Sequence, residues 1–225
     1  MKSRQKSKTI VSDKHAAALA DILFKLKGVT FRFNPPYTYT SGIRSPIYTD
    51  NRIIMSHPKE RTKVVDMYVD IIKKKIGLKN VNCISATATA AIPHGAWVAD
   101  RLKLPLVYVR PSSKKYGKGN KMEGYLPKNA KVVVIEDHIS TAGSVGNNVS
   151  TIKKLGGRVK FVITSTTYNT KESEKVLRSN NVILFALSSG EKIVDEAIRQ
   201  KIISKDKKET VLDWLKDPAK WTKNN

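Results

Sequence analysis

Cysteine is nearly absent from this chain: Cys83 stands alone among 225 residues. A single thiol closes no internal disulfide and builds no thiolate zinc cluster, so a reducing cytoplasm is the expected compartment. Long hydrophobic runs are missing as well. The longest, such as residues 132–135, span only a few positions, against roughly 20 for a membrane-crossing helix. The basic first nine residues lead into no apolar stretch of the kind a secretory signal carries. No internal repeat, low-complexity tract or Gly/Ser/Pro linker divides the sequence. Acids are scarce, 19 against 42 Lys and Arg, which leaves a net charge of +23. What is present, 40% hydrophobic and 27% charged residues, is enough to bury a core, and it excludes disorder throughout and collagen-like repeats.

A pI near 10 is the usual footprint of a nucleic-acid binder. The excess here is mostly lysine and is spread along the chain, densest inside at 73–75 and 114–115. Lysine spread over solvated faces fits a general bias in residue usage as well as it fits a polyanionic partner. Composition does not choose between phosphate on RNA and phosphate on a metabolite, but no motif for stacking bases on exposed aromatics is present.

Periodicity predicts a helix over 16–26 capped by Asp13, an alternating strand over 29–33, turns at 34–36 and 41–42, and a helix from Pro58 to about Ile76. Short apolar runs at 81–85, 106–109, 132–135, 159–165 and 182–187 then alternate with helical patterns at 93–103, 143–155 and 171–179. Strands apolar on both faces, alternating with helices, indicate a central parallel sheet covered on both sides, an α/β fold. The expected organisation is a mobile basic segment 1–8, a helix and small hood subdomain 9–55, the α/β core 56–190, and C-terminal helices 191–225 packed on the core. Residues 207–221 read as one docked helix anchored by Trp214 and Trp221.

The stretch Val132-Val133-Val134-Ile135-Glu136-Asp137-His138-Ile139-Ser140-Thr141-Ala142-Gly143-Ser144 carries the chemistry. A buried strand ends in two acids, and small and hydroxylated residues lead into a helix. In open parallel sheets ligands bind beyond the carboxyl ends of strands. Acids suit sugar hydroxyls, and the loop's N–H groups at a helix start suit a phosphate. Together they describe a ribose-5-phosphate site.

This segment resembles the phosphoribosyl-pyrophosphate (PRPP) signature of type I phosphoribosyltransferases. Three more segments resemble orotate phosphoribosyltransferases in order: Ser41-Gly42-Ile43-Arg44-Ser45-Pro46 and its continuation to Arg52; Thr87-Ala88-Thr89-Ala90-Ala91 through Trp97, like the loop that faces pyrophosphate; and Arg110-Pro111-Ser112-Ser113-Lys114-Lys115-Tyr116 through Gly124, like the family's mobile catalytic loop. The matches cover most of 30–190.

The resemblance implies a Rossmann-like type I phosphoribosyltransferase fold and transfer of ribose 5-phosphate from PRPP to orotate, giving orotidine 5′-monophosphate and pyrophosphate. It implies catalytic roles for Lys114 and Asp137. It also implies PRPP binding by Arg110, Lys114, Tyr116, Glu136, Asp137, His138, Ile139, Ser140, Thr141, Ala142, Gly143 and Ser144. Ser140 would also reach orotate, and the segment near Phe33 and Tyr39 would cover the base. Mg2+ would be held mainly through substrate, with no dedicated protein ligands. The partners implied are the two substrates and a second copy of the chain, in a homodimer with shared sites, with neither membrane nor specific nucleic acid.

Several positions depart from the family pattern: Ala142 where glycine is usual, Thr40 before the Ser-Gly pair, Pro111 and Tyr116 in the basic loop, and no matching arginine near 166–169. At single residues plainer readings stay open. Arg44 and Arg52 suit a solvated surface, His94 a structural role at a helix start, and Trp97 the core. As whole functions, a transferase for another base, a PRPP-sensing regulator and a basic nucleic-acid binder stay open too.

Overall fold

The structure is a computed structural model that describes residues 8–39, 42–111 and 121–224. In chain order it forms β1 (Thr9–Val11), α1 (Asp13–Lys25), β2 (Val29–Phe31), β3 (Tyr37–Thr38), β4 (Arg44–Ser45) and β5 (Ile47–Thr49). A 3-10 helix, Asn51–Ser56, leads into α2 (Pro58–Ile71), which ends in a π-helical turn. Then come β6 (Cys83–Thr87), α3 (Ile92–Leu102), β7 (Leu106–Val109), β8 (Met122–Glu123), β9 (Lys131–Ile139) and α4 (Gly143–Lys154). The chain closes with β10 (Arg158–Thr167), α5 (Lys171–Ser179), β11 (Ile183–Ser189), α6 (Gly190–Arg199), α7 (Lys205–Lys216) and α8 (Pro218–Asn224).

Seven strands make the central sheet in the order β1-β11-β10-β9-β6-β7-β8, all parallel except β8, which returns antiparallel to β7. Side chains leave a strand alternately to its two faces. Val133, Ile135 and Ile163 accordingly pack in one core with α1, α2, α3, α6 and α7. Val132, Val134 and Val162 pack in a second core under α4 and α5. The helices start where local chemistry starts them. Pro58 and Pro93 occupy first turns, where a missing N–H costs nothing, and Thr170 accepts from Ser173 N at 3.2 Å to cap α5.

Several sequence expectations change. Ser12, not Asp13, is the N-cap of α1, and Asp13 sits inside the first turn, where its charge complements the helix dipole. The expected C-terminal helix is two helices, because Pro218 cannot continue α7 and instead starts α8. Strands β1 and β8 are too short, at three and two residues, to stand out by periodicity. Three core strands, β9, β10 and β11, run longer than their apolar runs. β9 continues through the acids to Ile139, because its pairing with β10 holds as far as Ile139 opposite Thr167.

Two short antiparallel ribbons, β2 with β5 and β3 with β4, stand beside the sheet. The C-terminal helices hold the second one. Trp214 Nε1 donates to the Arg44 carbonyl at 2.7 Å, and Thr222 Oγ1 accepts from Arg44 N at 3.0 Å. Trp214 is buried, with Tyr39 and Tyr168 edge-on to its indole at centroid distances of 6.3 and 5.0 Å. Trp214→Ala should therefore cost about 3–5 kcal/mol of unfolding free energy, as large aromatic truncations do. Trp214→Phe, which loses chiefly the N–H, should cost about 1–2 kcal/mol. Urea denaturation measures both.

Candidate active site

On its β6 side, β9 is paired only as far as Ile135, opposite Ala86, while on its β10 side pairing runs on to Ile139. Backbone groups beyond Ile135 therefore need other partners. Side chains also bind the backbone at this end of the strand: Tyr68 Oη donates to the Glu136 carbonyl at 2.7 Å, and Asn51 Nδ2 donates to the Asp137 carbonyl at 2.9 Å. Asn51 Nδ2 also lies 2.7 Å from Thr166 Oγ1, whose other neighbour is His138 Nδ1 at 2.8 Å. The Tyr168 ring stands edge-on to His138 with centroids 4.4 Å apart.

Beside this end of β9 lies a cleft of about 260 Å³. Glu136, Asp137, His138, Ile139, Ser140, Thr141, Ala142, Gly143 and Ser144 all line it, facing Ala88, Thr89 and Ala90 from the β6–α3 loop. Glu136 is 5% exposed, and burial, reinforced by Asp137, holds its carboxyl well above the ordinary carboxylate value. Burial pushes the His138 imidazole down to about 4. The Ile139 side chain belongs to the core, so only its backbone can reach a ligand. Ala142 precedes α4 at φ 64°, left-handed backbone that costs a non-glycine residue about 1–2 kcal/mol, and its side chain makes no cap. The first-turn amides of α4, which no preceding helical turn can pair, are thus left for a ligand.

A second cleft, of about 470 Å³, adjoins the first and shares Ala88 and Thr89 with it. Arg110 lines it with Glu123, and Arg110 Nη1 lies 3.5 Å from Glu123 Oε1 without hydrogen-bond geometry. Asn147 Nδ2 on α4 donates to the Arg110 carbonyl at 3.3 Å, tying the two clefts together. A buried chain from Ser85 to Asn148 to Thr87 (2.8 and 3.1 Å) fixes α4 against β6 at the same end of the sheet.

The chain is 39% identical over 205 residues to the orotate phosphoribosyltransferase of Listeria innocua, covering 91% of this chain and 97% of that protein. It belongs to the orotate phosphoribosyltransferase family. The Coxiella burnetii orotate phosphoribosyltransferase is 36% identical over 206 residues, covering 92% and 98% of the two chains. No family model matches. Among solved structures, that of the Aeropyrum pernix orotate phosphoribosyltransferase superposes with a TM-score of 0.71 at 24% identity over 83% of this chain and 99% of that one. An adenine phosphoribosyltransferase superposes with a TM-score of 0.58 at 18% identity, over 75% and 99%. These likenesses show the α/β fold expected of the family.

The structure thus brings the whole family signature, residues 136–144, onto one cleft and Arg110 onto its neighbour. Lys114 and Tyr116, like Thr40 and Ser41, lie outside the described residues. Arg52 is bidentate to Asp50 at 2.7 and 2.8 Å. His94 is buried against Tyr68 and Trp97, and Trp97 packs on the core beneath the Arg61 guanidinium. Tyr39 donates to the Ile47 carbonyl at 2.8 Å, and Phe33 lies under Lys207, so both pack within the ribbons and C-terminal helices. Sequence reasoning missed Asn51, Tyr68 and Thr166. Nothing local marks them, since their roles exist only once distant elements meet.

The depressed His138 value has a consequence for stability. The unfolded imidazole takes up a proton near 6.5, the folded one only near 4. Between those values the unfolded chain holds more protons, so stability rises with pH across that window and is lost as pH falls through it. The loss should be on the order of 3 kcal/mol. Glu136 acts in the opposite sense, because its folded carboxyl keeps a proton that the unfolded one releases. Denaturant midpoints of the wild type and His138→Gln from pH 7 to 4 separate the two: the variant should lose less stability on acidification.

Proposed function

We propose that this chain is an orotate phosphoribosyltransferase that transfers ribose 5-phosphate from PRPP to orotate, yielding orotidine 5′-monophosphate and pyrophosphate in pyrimidine (UMP) biosynthesis. The observation that carries the reading is one cleft holding two acids at a strand end beside the uncapped start of α4. That combination suits a phosphorylated ribose. The reading extends to a cytoplasmic enzyme; no described helix is long and apolar enough to cross a membrane.

In the transfer, the C1–O bond to pyrophosphate breaks with its electron pair leaving on pyrophosphate, while the base nitrogen forms the new C1–N bond and gives up its proton, which pyrophosphate or solvent takes. Charge builds on the leaving group and the ribosyl centre becomes oxocarbenium-like, so catalysis calls for positioning and charge compensation. In the proposed arrangement Asp137 and Glu136 hold the ribose hydroxyls. Burial raises the Glu136 carboxyl above the ordinary carboxylate value, and whenever it holds its proton it can donate as well as accept. The backbone and hydroxyls of 140–144 take the 5′-phosphate, and Ser140 also contacts orotate. Arg110 and, by the resemblance, Lys114 and Tyr116 meet pyrophosphate in the adjoining cleft.

Among the described residues no group of three His, Cys, Asp or Glu side chains could hold a metal. In the proposed reading a magnesium ion would be carried mainly on PRPP oxygens, as a hard cation that keeps most of its ligands outside the protein is often bound. When bound, it would neutralise pyrophosphate charge. The two ribbons and the 3-10 helix are proposed as a hood over this cleft, within a homodimer whose basic loops reach the partner's site.

Two measurements test the reading. In a PRPP-dependent assay with magnesium, orotate should be consumed and other bases should not. Asp137→Asn should lower kcat/KM about 10- to 100-fold with the fold intact, the worth of a hydrogen bond to a charged group. Normal kinetics in that variant would remove 136–144 from the site. For the shared site, impaired Lys114→Ala and Asp137→Asn chains should regain activity when mixed, since a heterodimer has one site free of both defects. No recovery despite demonstrated subunit exchange would show that each chain builds its site alone.

A further inference from the structure

The hydrogen bonds that join Asn51, Thr166 and His138 can be given directions from one end. The Asp137 carbonyl only accepts, so the Asn51 atom 2.9 Å from it is the amide nitrogen. The other proton of that amide points to Thr166 Oγ1, 2.7 Å away. Thr166 is 1% exposed, so its hydroxyl proton needs an acceptor, and the remaining neighbour is His138 Nδ1 at 2.8 Å. With Asn51 donating into the oxygen, the hydroxyl donates to Nδ1. Nδ1 therefore carries no proton, and the neutral ring is protonated on Nε2. The reverse assignment would aim two N–H donors at one oxygen and bury its hydroxyl proton without a partner.

The ring plane is fixed as well. Tyr168 packs edge-on against it and is itself anchored through its hydroxyl to Thr49 Oγ1 at 3.2 Å. Asp137 on the same strand and Tyr168, which directly follows β10, are the titratable neighbours that the structure sets against the ring. His138 lines the cleft, yet its supports lead to Asn51 and Thr49 in the N-terminal segment, whereas the phosphate-side residues lead into α4.

We propose that His138 is a specificity-determining residue of the base subsite, a neutral imidazole that presents Nε2–H to a carbonyl oxygen of the incoming pyrimidine and is locked in that tautomer by the Asn51–Thr166 relay. The identity of the acceptor rests on the transferase reading above; the tautomer does not. A fixed neutral donor accepts an oxo group and penalises a base that turns an N–H donor to the same point, because two donors are then left facing each other.

The test has two arms. In 15N-labelled protein, long-range 1H–15N correlation spectra at pH 7 should show His138 with Nε2 protonated and Nδ1 bare, and Thr166→Val should remove that preference. In steady-state kinetics, His138→Leu should raise the orotate KM about tenfold while the PRPP KM moves less than about twofold, the size expected for one lost hydrogen bond. His138→Gln, which carries an amide N–H near the place of Nε2, should recover most of the loss. An Nδ1-protonated wild type, an equal rise in both KM values, or a leucine variant as good as the glutamine one would overturn the proposal. Absence of any orotate turnover in the wild type would remove the base subsite along with the transferase reading, and the spectra would still decide the tautomer.

Discussion

A strand that carries two acids past the end of its pairing with a neighbour depends on side chains to hold its backbone, and the molecule's working end is organised around those hydrogen bonds. β9 extends past its last β6 partner by the residues that matter chemically. The carbonyls of the two acids accept from Tyr68 of α2 and from Asn51 of the 3-10 helix. Each donor arrives from an element earlier in the chain, and each is itself buried, so the acidic pair is held by groups that have nowhere else to go. The position of the acids thus depends on the sheet, on α2 and on the N-terminal segment at once. Asn148, bridging Ser85 and Thr87, does for α4 what Tyr68 does for β9.

Much of this could be read from the sequence. The β-branched run 132–135 announced a buried strand, and the acids and hydroxyls after it announced a ligand-binding loop. Apolar runs alternating with helical stripes gave a covered parallel sheet, and the structure has one. Hydrophobicity ends at Ile135, however, whereas the strand ends at Ile139, since hydrogen bonding and not side-chain polarity decides where pairing stops. The left-handed backbone at Ala142 was foreseeable because the family usually has glycine there. The supporting residues were not legible. Asn51 lies 86 positions from Asp137 and Tyr68 lies 68 from Glu136, and no local pattern encodes such meetings.

The lysine excess is distributed in a way that bears on its meaning. Many basic side chains are placed at acids near the surface, as with exposed Lys14 and Lys74 around half-buried Asp70 or Lys208 at exposed Asp195. Such exposed pairs contribute little individually and weaken with salt. The charge nearest the clefts is more selective: Arg110 Nη1 lies 3.5 Å from Glu123 Oε1 without hydrogen-bond geometry, so an anion arriving there competes with a weak contact.

The clamp on Arg44 has a consequence for how the molecule comes to exist. Its carbonyl and amide are held by Trp214 and Thr222, 170 and 178 positions further along. Strand β1, likewise, finds its place only against β11. A chain emerging from the ribosome can therefore form helices and the middle of the sheet early, but the second ribbon stays without its clamp, and β1 without its neighbour, until the later elements have been made. Contacts of such long separation close slowly. The nascent protein passes through an interval in which the signature strand is assembled while the ribbon beside it is still unfixed, and a helper or a protease acting in that interval would meet a surface that the finished molecule never shows.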